Sequence, residues 1–336
     1  MMSTPFAIPG LPGAQPASSG VICPTPKDTV LRDGTAQLYR FRGDATGPTV
    51  LLVPSLINRW YVLDLRRGAS VAEALVAAGF DTWCLDWGEP NDEDRYLEWD
   101  DVLARLARMV RHVRRATGTK KLGVLGYCIG GTLTSIHTAL EPDSVQALVN
   151  LAGPIDFEHA GFLGHMTTPR WFDPEAIASA GNMSAQQMQA GFVALRPTSQ
   201  IAKQVALFDK KLEGDPEKLE AFEALDTWAS DNIAFPAAAY VRYIRELYQE
   251  NRLVKGEHAV RGRGVDLARI ECPLLTVTTT RDTICPPLAA LGLNEKVSSS
   301  TKEHLSIPGG HVGAVVGDKA KTLLYPALSR FFGSHL

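Results

Sequence analysis

The sequence predicts an α/β fold in which helices cover both faces of a mostly parallel central sheet and a helical cap is inserted near the middle of the chain. Three observations lead to this prediction. Short, continuously apolar runs such as 49–53 and 145–151 are typical of strands buried on both faces. These runs alternate with segments whose apolar residues have helical spacing. Between residues 153 and 269 the alternation stops, and the sequence there predicts helical pieces separated by Pro and Gly, with no convincing buried strand.

Length and composition are compatible with one large core plus an additional subdomain. The 336-residue chain is 45% hydrophobic, and its net charge of −3 with a pI near 6.3 gives no electrostatic basis for binding nucleic acid or an anionic membrane. No apolar run approaches the roughly 18–20 residues of a membrane-spanning helix, and no signal-peptide pattern opens the sequence. We therefore expect a cytoplasmic protein with no nucleic-acid partner and no transmembrane segment.

The predicted elements follow one another in the order that such a sheet requires. Residues 1–28 are rich in Pro, Gly and Ser, which predicts a surface arm, and the core then comprises 29–152 and 270–336 around the cap, 153–269. The predicted strands are 29–32, 36–41, 49–53, 80–86, 122–125, 145–151, 273–279 and 304–307. The predicted helices are 69–78, 95–117, 129–140 and 319–332 in the core, and 184–195, 216–228 and 237–248 in the cap.

The clearest chemical motif lies at residues 121–140. A short apolar run meets Gly-Tyr-Cys-Ile-Gly-Gly and then a segment of helical spacing, which predicts a strand, a tight turn and a helix. This pattern is the nucleophile elbow G-x-S-x-G of the α/β-hydrolase fold with Cys128 in the serine position, and Gly126 and Gly130 leave room for the turn. At a helix N-terminus the backbone N–H groups favour the thiolate, which is the attacking species. The same residues also fit a packing turn around an inert cysteine.

An acid and a histidine follow at the ends of later predicted strands, in the order that α/β-hydrolases use. Asp282 comes after strand 273–279, and His311 comes after the last predicted strand. With Cys128 they form a candidate triad, in which Asp282 orients the imidazole while His311 accepts the thiol proton and later activates an acceptor hydroxyl. Asp86, at the end of an earlier strand, is the alternative acid.

Two backbone N–H groups are expected to form the oxyanion hole. One belongs to Ile129, the residue after the nucleophile, and the other to the loop after strand 49–53, where we assign Ser55. An ordinary strand-to-helix connection is the alternative for this loop. Because exchange between a thiol and a thioester is close to isoenergetic, a cysteine nucleophile favours acyl transfer from a thioester, although cysteine hydrolases exist.

Three further groups of residues bear on function. The five cysteines are odd in number, widely spread and without a CxxC pair, which indicates neither a disulfide framework nor a metal site. A row of arginines on helix 95–117 either holds the phosphates of coenzyme A or forms a solvated helix face: Arg105, Arg108 and Arg111. Apolar cap residues either line an acyl-binding site or form the core of the cap: Met166, Trp171, Phe172, Met183, Met188 and Phe192.

Seven separated segments, in the same order, resemble polyhydroxyalkanoate synthases. They are VPSLINRWYVLDL (53–65), LDWGEPNDEDR (85–95), GYCIGG (126–131), TWASDNIAFP (227–236), LYQENRLVKG (247–256), RDTICP (281–286) and PGGHVGAVV (308–316). The resemblance covers the chain from about residue 48 to the end. Several motifs in the right order are far more specific than the elbow alone.

The resemblance implies an α/β-hydrolase fold with a cap, and an acyltransferase that elongates a polyester from 3-hydroxyacyl-CoA, releases CoA and needs no bound cofactor. The catalytic positions of the family fall on Cys128, Asp282 and His311. Thr283 and Cys285 depart from the family pattern, in which histidine and valine or threonine are usual. The loop and cap motifs assign four substrate-binding residues: Asn58, Tyr61, Trp228 and Asp231.

The implied partners are 3-hydroxyacyl-CoA and the growing polyester chain or the surface of its granule. In size and in the LDWGEP segment the chain is similar to the short synthases that work with a second, non-catalytic subunit, whereas its cap motifs are closer to the long, self-sufficient class. We therefore expect either a homodimer or a complex with such a subunit. A cysteine hydrolase with water as acceptor is the alternative activity, and a granule-associated protein without turnover is the third.

Overall fold

The computed structural model describes residues 22–43, 47–195 and 214–336, so most of the predicted arm, 1–28, lies outside the described residues. An eight-stranded sheet forms the centre of the described chain, and two short strand pairs lie outside it. In chain order the strands are β1 (Lys27–Asp33), β2 (Ala36–Phe41), β3 (Thr49–Val53), β4 (Asp64–Arg66), β5 (Ala69–Ser70), β6 (Asp81–Asp86), β7 (Leu122–Tyr127), β8 (Val145–Leu151), β9 (Ala259–Val260), β10 (Arg263–Gly264), β11 (Leu274–Thr279) and β12 (Lys302–Ile307).

The strand order of the main sheet is β1-β2-β6-β3-β7-β8-β11-β12. β2 pairs antiparallel with both β1 and β6, and all the other neighbours are parallel. Every residue of β3, β7 and β11 is buried, which explains why these strands are continuously apolar or nearly so in sequence. The prediction of a mostly parallel sheet is confirmed.

Helices surround this sheet, and α1 packs against α12 while α2 packs against α3. One π-helical segment, Tyr243–Gln249, follows α8, and a second, Ala320–Leu324, precedes α12. No helix of the described residues is long and apolar enough to cross a membrane. The helices are α1 (Val71–Ala77), α2 (Trp99–Thr117), α3 (Ile129–Leu140), α4 (Gly161–Met166), α5 (Pro174–Ala178), α6 (Ala185–Leu195), α7 (Pro216–Ser230), α8 (Ala237–Arg242), α9 (Arg252–Lys255), α10 (Pro287–Lys296), α11 (Gly313–Val316) and α12 (Tyr325–His335).

Local sequence determines both ends of α2. Glu98 and Asp101 form a capping box, in which each side chain accepts a hydrogen bond from the backbone N–H of the other, and this starts the helix at Trp99. At the other end Gly118 takes a left-handed conformation with φ 70°, which stops it. The sequence predicts a start at about residue 95; the structure begins α2 later because Asp92–Tyr96 forms a separate 3₁₀ turn.

The segment between β8 and β11 contains α4 to α9, as expected for the predicted cap, and in its described part contributes no strand to the main sheet. The segment also contains a short hairpin, β9–β10, which the sequence did not indicate. Arg261 and Gly262 both have positive φ, 49° and 74°, as a two-residue hairpin turn requires. Strands of two residues are too short to show alternation in the sequence.

Close packing around the β7–α3 turn explains its glycines. A Cβ atom on Gly130 would lie 2.1 Å from the carbonyl oxygen of Val53 and 2.6 Å from that of Pro54. On Gly126 it would lie 2.2 Å from the Oγ1 of Thr134. Any larger residue must therefore push α3 away from β3 and β7.

We expect Gly130→Ala to lower the free energy of unfolding by about 3 kcal/mol, at the upper end of the usual cost of overpacking, because the clash is with backbone. Gly333→Ala is the matched control, since Gly333 lies in α12 with open space around it and alanine is the better helix former, by about 0.5–1 kcal/mol. Urea denaturation followed by circular dichroism measures both. Equal stability of the two variants would contradict the packing argument.

Candidate active site

Cys128 lies at the turn between β7 and α3, with backbone angles of φ 56° and ψ −128°. A positive φ is disfavoured for any residue but glycine, so this turn is strained. The neighbouring backbone holds it in place. The Cys128 N–H donates to the carbonyl of Leu151 at 3.0 Å, and the Cys128 carbonyl accepts from the Gly131 N–H at 2.8 Å. The Cys128 side chain lines a cavity beneath the cap.

Asp282 follows β11, and its buried carboxylate accepts four hydrogen bonds. Oδ1 accepts from the backbone N–H groups of Ile284 and Cys285 at 2.9 and 2.8 Å. Oδ2 accepts from the Thr279 hydroxyl at 3.1 Å and from His311 Nδ1 at 2.7 Å. Burial alone would raise the pKa of Asp282, but the charge of His311 and these hydrogen bonds lower it below its ordinary value. Asp282 is therefore ionised at neutral pH.

His311 follows β12 and is buried beside both predicted partners. Its Nδ1 is bonded to Asp282, and its Nε2 is buried without a hydrogen bond of ordinary geometry to any described residue. Burial would lower the pKa of His311, but the nearby charge of Cys128 and then that of Asp282 outweigh it and raise the pKa to about 10. Electrostatic coupling thus joins Cys128 to the imidazole, and the Nε2 atom of that imidazole is not occupied by another described residue.

The ring of Tyr127 packs on His311, with ring centroids 5.1 Å apart and an angle of 30° between the planes. Sequence reasoning missed this residue, although its place just before the nucleophile of the elbow is a usable signal. Its hydroxyl is buried without a partner in the described part of the chain. With Asp282 on one nitrogen and Tyr127 against the ring, the imidazole orientation is fixed from two sides.

The structure separates the alternative acid, Asp86, from His311. Asp86 ends β6 and accepts hydrogen bonds from the Tyr39 hydroxyl and the Gly88 N–H, both at 2.9 Å. β6 lies on the opposite side of β7 from β11 and β12, the strands that precede Asp282 and His311. Only Asp282, of the two candidate acids, contacts the imidazole.

The cavity beneath the cap has a volume of about 340 Å³ and a mostly apolar wall, with Cys128 and Ile129 in it. Four of the six apolar cap residues considered above line it: Met166, Phe172, Met183 and Met188. Trp171 is 56% exposed, and the side chain of Phe192 lies outside the described residues. Sequence reasoning missed other lining residues, namely Ile57, Tyr240, Tyr243, Tyr248 and Ile284.

The alpha/beta hydrolase fold family matches residues 48–318 of the chain. The poly(3-hydroxyalkanoate) polymerase subunit PhaC of Allochromatium vinosum is 31% identical over 91% of this chain and 88% of its own length. The chain belongs to this polymerase family. PhaC of Synechocystis sp. is 31% identical over 91% of the chain and 84% of its own length. PhaC of Haloferax mediterranei is 31% identical over 95% of the chain, which spans 66% of that relative.

Solved structures of low sequence identity show the fold. A hydrolase from Pseudomonas aeruginosa is 18% identical with a TM-score of 0.57, over 91% of this chain and 98% of that one. A monoacylglycerol lipase from Paleococcus ferrophilus is 16% identical with a TM-score of 0.53, over 89% and 99%. Both the predicted α/β-hydrolase fold and the predicted resemblance to polyhydroxyalkanoate synthases are confirmed.

Of the two predicted oxyanion-hole residues in this polymerase family member, Ile129 lines the cavity and Ser55 does not. Ile129 opens α3, where a backbone N–H has no intrahelical acceptor. Ser55 is buried, and its hydroxyl has no partner among the described residues. Ile57, two residues later, is the part of the loop that lines the cavity. The assignment of Ser55 stays a prediction, and of these two residues only Ile57 belongs to the cavity wall.

The four predicted substrate-binding residues do not line the cavity; they connect the loop after β3 to the cap. Asn58 Nδ2 donates to Asn232 Oδ1 at 2.6 Å, and the Tyr61 hydroxyl donates to Asp231 at 2.7 Å. Trp228 Nε1 donates to a backbone carbonyl of the same loop at 2.9 Å. Substrate contact by these residues stays a prediction, and the structure gives their polar groups protein partners.

The arginine row of α2 faces away from Cys128. Arg108 Nε contacts Asp33 at 2.6 Å, at the hairpin turn between β1 and β2. Arg108 and Arg111 line a groove that also contains Leu140, at the C-terminal end of α3, whereas Cys128 lies at its N-terminal end. None of the three arginines lines the cavity that contains Cys128, and binding of coenzyme A phosphates by this row stays a prediction. The described residues also contain no cluster of three or more His, Cys, Asp or Glu that could hold a metal ion.

We expect Cys128→Ala to lower the pKa of His311. Burial of the imidazole lowers that pKa, and the charge of Cys128 is the largest contribution that raises it. In the wild type the imidazole should stay protonated from neutral pH to about 10, and in the variant it should lose its proton at lower pH. NMR titration of the imidazole resonances measures this, with Cys84→Ala as a control that removes a buried thiol elsewhere. An unchanged titration in Cys128→Ala would show that the two groups are not coupled.

Proposed function

We propose that this protein polymerises 3-hydroxyacyl-CoA into polyhydroxyalkanoate through an acyl-thioester on Cys128, releasing CoA. The observation that carries the proposal is the arrangement of Asp282, His311 and Cys128. It occurs in a chain whose relatives are named poly(3-hydroxyalkanoate) polymerases, which supports polyhydroxyalkanoate synthesis as the broader function.

In the first step the Cys128 thiolate attacks the carbonyl carbon of the acyl-CoA thioester. The negative charge that develops on the carbonyl oxygen is held by the Ile129 N–H and by an N–H of the loop after β3. The bond to the CoA sulfur then breaks, and protonated His311 supplies a proton to the leaving thiolate. The products are acyl-Cys128 and free CoA.

In the second step a hydroxyl group of another 3-hydroxyacyl unit attacks the acyl-thioester. His311, now neutral, accepts the hydroxyl proton, and Asp282 stabilises the imidazolium that forms. An ester bond forms, the Cys128–acyl bond breaks, and the thiolate is regenerated. Repetition of the cycle lengthens the polyester by one unit per CoA released.

The cavity is consistent with this chemistry. Its mostly apolar wall suits the hydrocarbon part of an acyl group, because burying apolar surface is favourable and the wall contains few groups to be desolvated. We further propose that CoA enters only as part of the substrate, that the protein acts in the cytoplasm at the surface of the polyester granule, and that it works as a homodimer or with a second, non-catalytic subunit.

We expect incubation with 3-hydroxybutyryl-CoA to yield free CoA together with insoluble polyester. Thiol titration measures the CoA, and gas chromatography after methanolysis measures the polymer. Cys128→Ala should release no CoA above background, because the thiolate is the only covalent acceptor in the proposed path. Free CoA with only monomeric acid would instead identify a cysteine hydrolase.

For His311→Gln we expect one near-stoichiometric release of CoA followed by a stall. Slow acylation should persist without the imidazole, because a cysteine sulfur is intrinsically a strong nucleophile. The acceptor hydroxyl is a weak nucleophile unless a base removes its proton, and loss of that general base costs roughly 10²- to 10⁴-fold in rate. Intact-protein mass spectrometry should show the acyl-enzyme accumulating. Acylation no better than that of Cys128→Ala would contradict this division of roles, and turnover at the wild-type rate would exclude His311 as the base.

A further inference from the structure

The loop after β3, residues 54–59, is attached to the core at its start and to the cap at its end. At the start the carbonyl of Pro54 accepts a hydrogen bond from Trp87 Nε1 at 3.1 Å. At the end the partners belong to the cap segment 228–233, which we call the cap tether. Trp228 Nε1 donates to the Arg59 carbonyl at 2.9 Å.

The tether also holds the backbone next to Ile57, the residue of the loop that lines the cavity. The Ile57 carbonyl accepts a hydrogen bond from the Ile233 N–H at 3.4 Å, and Asn58 forms an isolated antiparallel bridge with Asn232. The Ile57 N–H itself donates to no other described residue. The same is true of the N–H groups of Ser55 and Leu56, but of the three residues only Ile57 belongs to the cavity wall, and the peptide that follows it is bonded to the cap.

Asp231 supplies the charge that holds the tether to the loop. Its carboxylate accepts from Arg59 Nε at 2.9 Å and from the Tyr61 hydroxyl at 2.7 Å, one group on each oxygen. Arg59 has a second partner on the core side, Glu89, at 2.9 Å. Charge-assisted bonds to a planar guanidinium are directional, so they fix the loop orientation as well as its position.

We propose that the cap tether is a positioning element for the oxyanion hole, in which Asp231 keeps the loop in the shape that points the Ile57 N–H towards the oxyanion. This inference rests on the proposed acyl transfer from a thioester. It assigns Asn58, Tyr61, Trp228 and Asp231 to positioning rather than to substrate contact.

The test compares Asp231→Asn with Glu89→Gln, which weakens the other bond of the same arginine without touching the cap. Rapid-quench single turnovers with 3-hydroxybutyryl-CoA give the limiting rate of CoA release and the half-saturating substrate concentration. We expect Asp231→Asn to lower the limiting rate roughly 10- to 100-fold, somewhat less than outright loss of an oxyanion donor. The half-saturating concentration should change less than about twofold, and Glu89→Gln should stay near the wild type.

Alkylation of Cys128 by iodoacetamide supplies a second readout, because that reaction needs the thiolate but develops no carbonyl oxyanion. It should proceed at the wild-type rate in Asp231→Asn. Three results would overturn the proposal: a raised half-saturating concentration at an unchanged limiting rate, which indicates substrate contact; a parallel loss of alkylation, which indicates general damage; or an equal loss in Glu89→Gln.

Failure of the proposed function gives a different result. In that case the wild type itself releases no CoA from 3-hydroxybutyryl-CoA. Asp231→Asn and Glu89→Gln are then compared with p-nitrophenyl butyrate, an ester that acylates Cys128 without CoA recognition and releases a burst of nitrophenol. A smaller burst rate in Asp231→Asn than in Glu89→Gln still supports the tether. Equal burst rates overturn it.

Discussion

The strained turn at Cys128 is the constraint on which the rest of the active site depends. Its positive φ persists because glycines let α3 approach β3 and β7 to backbone contact, and because the turn is hydrogen-bonded to β8. Parallel neighbours then bring the ends of β11 and β12 to the same edge of the sheet. Asp282 and His311, far from Cys128 in sequence, thereby meet each other at the edge where Cys128 lies.

Two kinds of contact hold the cap over this edge of the sheet, and they differ in how directional they are. Apolar packing, such as that of Tyr243 in the cap on Trp99 in the core, gives a favourable but non-directional interaction that tolerates sliding of one surface over the other. The bonds of the cap tether are few and directional, and they end on the one loop that reaches the cavity from β3. Attachment of the cap to the core and alignment of that loop are therefore linked, although the apolar contacts alone would keep the cap attached.

Features encoded by neighbouring residues were predictable from the sequence, and those made by distant residues were not. The elbow, the buried strands and the order of acid and histidine are local patterns, and the structure brings His311 to Asp282 as expected. The place of Ile57 in the cavity wall depends on how the loop after β3 folds, and the contact of Tyr127 with His311 depends on how two rings distant in sequence pack together. The mutual pairing of Tyr61 with Asp231, 170 residues apart, likewise exists only once the cap has folded onto the core.

In the turn after β11 the Asp282 carboxylate accepts hydrogen bonds from the backbone N–H groups of residues 284 and 285, and every amino acid except proline has such a group. The side chain of Thr283, between them and Asp282, points outward and is exposed. The hydrogen bonds that stabilise the charge of Asp282 therefore do not depend on which residue stands at position 283. A different side chain at position 283, including one used for surface contacts, would therefore leave the hydrogen bonds of the Asp282 carboxylate unchanged.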